Sequence, residues 1–194
     1  MGMTAGLRER KKAATRQAVH EAALRLTVEH GLDNITVEAI ADAANISRRT
    51  FSNYFDGKED ALLYGESQRL GTLVRLVREQ PADQSAWRAL RGALDSLYEE
   101  SGVADRALHV RTRLAMNHPT LLARQLAYRV RLEQELSAAV AEREQAGDAG
   151  PELLTAAFLT ALRVAGQWWC AERETRSLHQ LSVLALDQIA QPFT

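Results

Sequence analysis

"AIADAANISRRTFSNYF", residues 39–55, reads as the end of one short helix, a tight turn and the whole of another. Phe51, Tyr54 and Phe55 stand at i, i+3 and i+4, so a helix through them has one adhesive side. Arg49, Ser52 and Asn53 fall on the opposite side, with Arg48 and Thr50 on its flanks. Ser47 is placed to cap this helix. Asn45 occupies the turn, where asparagine tolerates a left-handed backbone better than most residues. Ile46 plugs the corner between the two helices. The earlier helix runs from about Val37 to Ala43 behind a Thr36 cap, with Val37, Ile40 and Ala44 facing inward.

Moving outward, Val19, Ala22, Ala23 and Leu26 form the apolar stripe of a helix over about Thr15 to His30, and Gly31 stops it. Three short helices, the second and third separated by a tight turn, describe a helix-turn-helix. The aromatics would hold the third helix onto a small body while its other face meets the major groove of DNA. Arg48 or Arg49 has the fork to bridge guanine O6 and N7, and Asn53 the amide to pair with an adenine edge. Thr36, Ser47, the Tyr54 hydroxyl and Lys58 suit phosphate contacts, and Thr50 and Ser52 extend the same polar surface.

The rest of the chain also has helical periodicity and little strand pattern. In "DGKED", residues 56–60, Asp56 and Glu59 are spaced as a capping box that starts a helix running from Lys58 to about Glu79. Gly65 and Gly71 lie inside it, where a bend is expected, and Pro81 breaks the pattern. Further helices are expected at about 84–100, 105–117, 119–145, 152–173 and 177–190. The fold class is therefore all-α, with about nine helices. It divides into an N-terminal arm and helix-turn-helix over 1–57 and a larger helical domain over 58–194.

Residues Thr15 to Leu63 resemble the DNA-binding domain of the tetracycline-repressor (TetR/AcrR) family of bacterial transcription regulators. The pattern appears here as "AALRLTVEHGLDNITVEAIADAANISRRTFSNYFDGKEDAL", residues 22–62. Departures from it are Thr27 where an aromatic is usual, Leu32 where phenylalanine is common, and "ANIS" in the turn. Phe51 and Asn53 also replace positions often held by leucine or tyrosine, and Asn53 alters the groove-facing chemistry. The resemblance implies a ligand-responsive regulator, by family habit a repressor, that binds a roughly palindromic operator as a homodimer. A small apolar or amphipathic effector would release it by favouring a conformation whose recognition helices cannot reach successive grooves roughly 34–36 Å apart.

The apolar stripes of the helices at about 152–173 and 177–190 suit a four-helix homodimer interface. Residues placed to line an effector pocket are Trp87, Leu90, Leu94, Leu114, Met116, Leu122, Leu126, Tyr128, Phe158 and Trp168. Arg106, Arg111, Arg113, Arg124, Arg129 and Arg131 crowd one stretch of the same domain, and an arginine at a pocket mouth would hold an anionic group. Arg111 is the candidate from that set.

Composition narrows the alternatives. A chain of 194 residues, 46% hydrophobic and 25% charged, suits a globular protein with a buried core. Its net charge of −1 conceals a basic front end, where Arg8, Arg10, Lys11, Lys12 and Arg16 face only Glu9. Cys170 stands alone, which excludes an intrachain disulfide and a thiolate metal cluster. The N-terminus has no apolar signal region and no run is long enough to span a bilayer, so a cytoplasmic protein without membrane partners is expected. None of the five histidines has a glutamate three residues before it, and "HEAAL" at His20 lacks the second histidine of a zinc-protease helix. Phosphate loops and nucleophile elbows are missing too, so neither an enzyme nor a cofactor is expected. The competing reading is a helical adaptor that binds protein rather than DNA.

Overall fold

The computed structural model describes residues 3–101, 118–143, 150–171 and 174–190, and the regular elements among them are helical. In chain order they are α1 (Met3–His30), a 3-10 turn (Leu32–Asn34), α2 (Val37–Ala43), α3 (Arg48–Ser52) and α4 (Lys58–Glu79). They continue with α5 (Ala86–Ser101), α6 (Pro119–Ala141), α7 (Pro151–Trp169) and α8 (Leu178–Ala190). The helix expected over about 105–117 falls outside the described residues, as do Arg106, Arg111, Arg113, Leu114 and Met116.

α1 begins well before the expected Thr15. The basic stretch ahead of Thr15 is rich in good helix formers, and Lys12 pairs with Glu9 at 2.9 Å, one turn apart. The basic front end is thus an extension of α1. Gly31 ends the helix at φ 82°, a conformation that side chains rarely adopt.

The α2–α3 turn follows from its hydrogen bonds. Asn45 is left-handed at φ 54°. Its amide donates to the Asp42 carbonyl at 3.0 Å, and the Ile46 amide donates to Ala41 at 2.9 Å. Together these are the Schellman closure of a helix, with Ile46 as its hydrophobic plug. Thr36 and Ser47 cap the helices that follow them, accepting from the Ala39 and Thr50 amides at 3.1 Å each.

At the start of α4 the expected Asp56–Glu59 capping box does not form. Gly57 is the N-cap without a side-chain bond, and the Asp56 amide donates to Asp60 Oδ2 at 3.3 Å instead. Asp60 lies one residue farther along the turn, which brings its carboxylate back over the chain entering the helix.

Two hydrophobic clusters organise the molecule. The head cluster gathers Val19, Ala22, Ala23, Leu32, Ile35, Ile40, Phe51 and Phe55, and then takes Ala61, Leu62 and Leu63 from α4 and Leu121 from α6. The body cluster uses the later part of α4, from Leu73 to Val77, with α5, the second half of α6, α7 and α8. The division expected at 57/58 therefore runs through the head cluster. A head made of α1 and two short helices has too little interior of its own, and it completes its core with the first turns of α4. At the far end Arg143 locks α6 to the α4–α5 turn, donating to the carbonyls of Val77 and Gln80 at 3.0 and 3.1 Å and also to that of Pro81.

Candidate nucleic-acid interface and effector cavity

α3 turns its two faces to different surroundings. Phe51 is 1% exposed and Phe55 5%, whereas Arg48, Arg49, Ser52 and Asn53 are exposed. The rings anchor the helix in sequence: Phe51 lies 5.6 Å from Phe55, and Phe55 meets Tyr64 of α4 edge-on at 5.7 Å. Tyr54 is half-buried with the Arg16 guanidinium 5.4 Å above its ring, so α1 also steadies the end of α3. Sequence reading grouped Arg16 with the basic tail and missed this contact.

The two arginines differ. Arg48 pairs with Glu38 of α2 at 2.9 Å, while Arg49 has no carboxylate partner among the described residues. The hydroxyls of Ser47 and Thr50 share a hydrogen bond at 2.9 Å, and Thr50 is half-buried, so both serve the start of the helix first. Lys58 departs from its expected place as a phosphate contact. Its ammonium donates to the carbonyls of Leu32 at 2.8 Å and Ile35 at 3.1 Å, fastening the loop between α1 and α2 to the start of α4. The open carbonyls of the 3-10 turn attract the charge inward.

Between α4, α5, α6, α7 and α8 lies a cavity of about 270 Å³. Leu94, Leu122 and Leu126, all expected there, line it, and so does Arg129 from the arginine-rich stretch. The other candidates among the described residues do not line it. Phe158 is fully buried in the body core with Trp87 edge-on to it at 6.5 Å, and Trp168 packs against the same core. Tyr128 turns toward the head, where its hydroxyl donates to Asp60 Oδ1. Burial, with the Asp60 carboxylate beside it, pushes the phenol up to about 12.

The sequence reading also missed the polar half of the lining: Glu66, Arg69 and Tyr98, then Gln125, Arg163 and Gln167. The signal was helical spacing. Leu122, Gln125, Leu126 and Arg129 recur at i, i+3, i+4 and i+7 on one face of α6.

α6 thus touches both functional regions. One face lines the cavity, while His118, Leu121 and Tyr128 reach the head. His118 Nε2 donates to Asp33 Oδ1 at 2.9 Å, which holds that carboxyl below its ordinary range, and Leu121 is fully buried in the head cluster. The Gln125 amide donates to both Glu66 oxygens at 3.0 and 3.2 Å, tying the cavity face of α6 to α4. No helix among the described residues is long and apolar enough to cross a membrane.

Comparison with known proteins agrees with this architecture. A family model described as "Bacterial regulatory proteins, tetR family" matches residues 20–64, and one described as "MftR C-terminal domain" matches residues 84–194. The HTH-type transcriptional regulator TcmR of Streptomyces glaucescens is 32% identical over 197 residues, covering 95% of this chain and 86% of that protein. Among solved structures, the TetR-family repressor FadR of Thermus thermophilus, in complex with lauroyl-CoA, is 25% identical with a TM-score of 0.62. That likeness covers 92% of this chain and 95% of FadR. SmeT, repressor of a Stenotrophomonas maltophilia multidrug efflux pump, shares the fold with a TM-score of 0.64 at 18% identity, over 90% of this chain and 87% of that one. With both halves matched, and a relative of this identity along nearly the whole length, the chain belongs to the TetR family of bacterial transcriptional regulators.

Proposed function

We propose that this regulator is a cytoplasmic repressor that binds a roughly palindromic operator as a homodimer and is released by a small apolar or amphipathic effector. The observation that carries the DNA-binding reading is α3 itself, with its rings buried and Arg49, Ser52 and Asn53 exposed on the other side. Arg49 is the base reader in this proposal, with Asn53 beside it. Arg48, Ser47, Thr50, Thr36, Ser52 and the Tyr54 hydroxyl line the backbone on either side.

The effector enters the cavity of the body. Its signal travels through α6, because a shift of that helix moves cavity residues and head contacts together. Tyr128 and Asp60 form the shortest part of the route, since Asp60 also holds the Asp56 amide just beyond α3. An effector releases the operator only by as much as it prefers the displaced arrangement. The likeness to FadR, which carries lauroyl-CoA, supports an amphipathic ligand.

A dimer is supported by an outward stripe on α7. Leu153 is 65% exposed, and Ala157 and Val164 follow on the same side of the helix. Two helices from each subunit would close a bundle and space two readers for successive half-sites.

Recovery of bound DNA fragments genome-wide, followed by titration of the commonest one at several salt concentrations, tests the proposal. Affinity should fall with a log–log slope of about −0.9 per phosphate contacted. A salt-independent interaction, or no enrichment of any DNA, would favour the protein-binding adaptor instead.

A further inference from the structure

The cavity has walls made mostly of leucine, yet Arg69, Arg129 and Arg163 line it against a single carboxylate, Glu66. Leucine walls alone accommodate any apolar molecule; three guanidiniums do not. Each is held by neutral groups. Arg129 donates to the Leu159 carbonyl at 3.1 Å, and Arg163 donates to the Gln167 side chain at 3.1 Å. Arg69 rests 5.6 Å from the centre of the Tyr98 ring. None of the three pairs with a carboxylate among the described residues, whereas Arg75, Arg78 and Arg91 on the same body each do, at 2.6 to 2.9 Å. Glu66 is already engaged, its two oxygens accepting from Gln125.

Arg129 is the most telling of the set. It is half-buried, and burial together with the like charge of Arg163 lowers its pKa, outweighing the carboxylates of Glu66 and Glu133 that act the other way. Desolvating a cation beside another cation is unfavourable unless an anion completes the arrangement. These two side chains come from facing helices, α6 and α7, so a group between them is gripped from both sides. Fork-shaped donors of this kind match the geometry of a carboxylate.

Resting on the reading of this cavity as the effector site, we infer that it takes an amphipath with an anionic head, held between Arg129 and Arg163, and an apolar body laid along the leucines. Neutral analogues of the same length bind more weakly, and cationic ones are rejected by the excess positive charge.

Calorimetric titration of the full chain, without DNA and below micelle-forming concentrations, tests this with dodecanoate, dodecan-1-ol and dodecyltrimethylammonium. Dodecanoate should bind at least about tenfold tighter than the alcohol, the scale of one charge-assisted interaction, with the cation weakest. Arg163→Met, at an exposed position, and Arg129→Met should each shrink that ratio toward one. Arg131→Met, on the exposed side of α6 and away from the cavity, should preserve it. Equal binding by the three probes, binding by none of them, preference for the cation, or an unchanged ratio in Arg163→Met would overturn the inference. Operator binding is measured separately: lost charge preference with intact operator binding removes only the anionic head, and the converse removes only the regulator proposal.

Discussion

At the scale of single residues, Arg49 and Lys58 divide the work that a count of positive charges would merge. Arg49 is exposed without a carboxylate partner among the described residues, while the ammonium of Lys58 is bound to two carbonyls. Arg49→Ala should weaken specific operator binding by about 1–3 kcal/mol if it makes a bidentate base contact, and leave thermal stability unchanged. Fluorescence anisotropy on the cognate fragment reads the affinity, and undiminished binding would remove the assignment. Lys58→Ala should lower unfolding free energy by about 1–3 kcal/mol, because two carbonyls lose a charged donor. Urea titration measures this; unaltered stability with a uniform loss of DNA affinity would restore the phosphate role. The sequence made Ser47, Thr36 and Asn45 legible because caps and left-handed turns depend on near neighbours. It could not reveal the partners of Lys58, which lie 23 and 26 residues away along the chain.

Among elements, α6 is the one whose role sequence periodicity shows least. Its apolar positions divide between two clusters, with Leu121 in the head and Leu132, Leu136, Ala139 and Val140 in the body. A single-stripe reading therefore assigned Tyr128 to the cavity, when it belongs to the contact with Asp60. That contact has a pH signature. The folded-state phenol is raised to about 12, so its contribution is complete below the ordinary tyrosine value of about 10 and is lost as pH rises through the folded value. Tyr128→Phe should flatten the fall in melting temperature between about pH 10 and 12 relative to the parent chain. In operator-release assays with an effector in hand, the same variant should need more effector for half-release. Parallel alkaline melting curves for the two proteins would argue that the hydroxyl is uncoupled from folding. The bounds of α2 and α4 matched expectation, although Gly57 and not Asp56 caps α4, whereas α1 extended into the basic stretch expected as an N-terminal arm.

For the molecule as a whole, the proposed dimer would use the outward side of α7. Val164 lies partly exposed in the same stripe as Leu153 and Ala157. Val164→Glu puts a carboxylate into the proposed seam, where burying it against its symmetry mate would be strongly unfavourable. Sedimentation equilibrium should show monomers with undiminished helical circular dichroism, and operator affinity should fall with the loss of the second reader. A variant that stays dimeric would place the interface on another surface. The all-α class, and the helices that fall among the described residues, were readable from period and breakers. The cavity was only half readable, because its floor and mouth are assembled from five helices whose relative placement no local pattern encodes.

The loan of Leu121 to the head core has a practical corollary for anyone recombining these proteins. A reader grafted as residues 1–57 alone would leave behind the leucines of α4 and the one from α6 that seal Phe51 and Phe55. Chimeras should therefore be joined beyond Leu63, and the recipient's counterpart of Leu121 must suit the incoming aromatics. Otherwise the transplanted recognition helix arrives without its keystone, and swapping specificity becomes a problem of fit beneath the helix before it is one of base contacts.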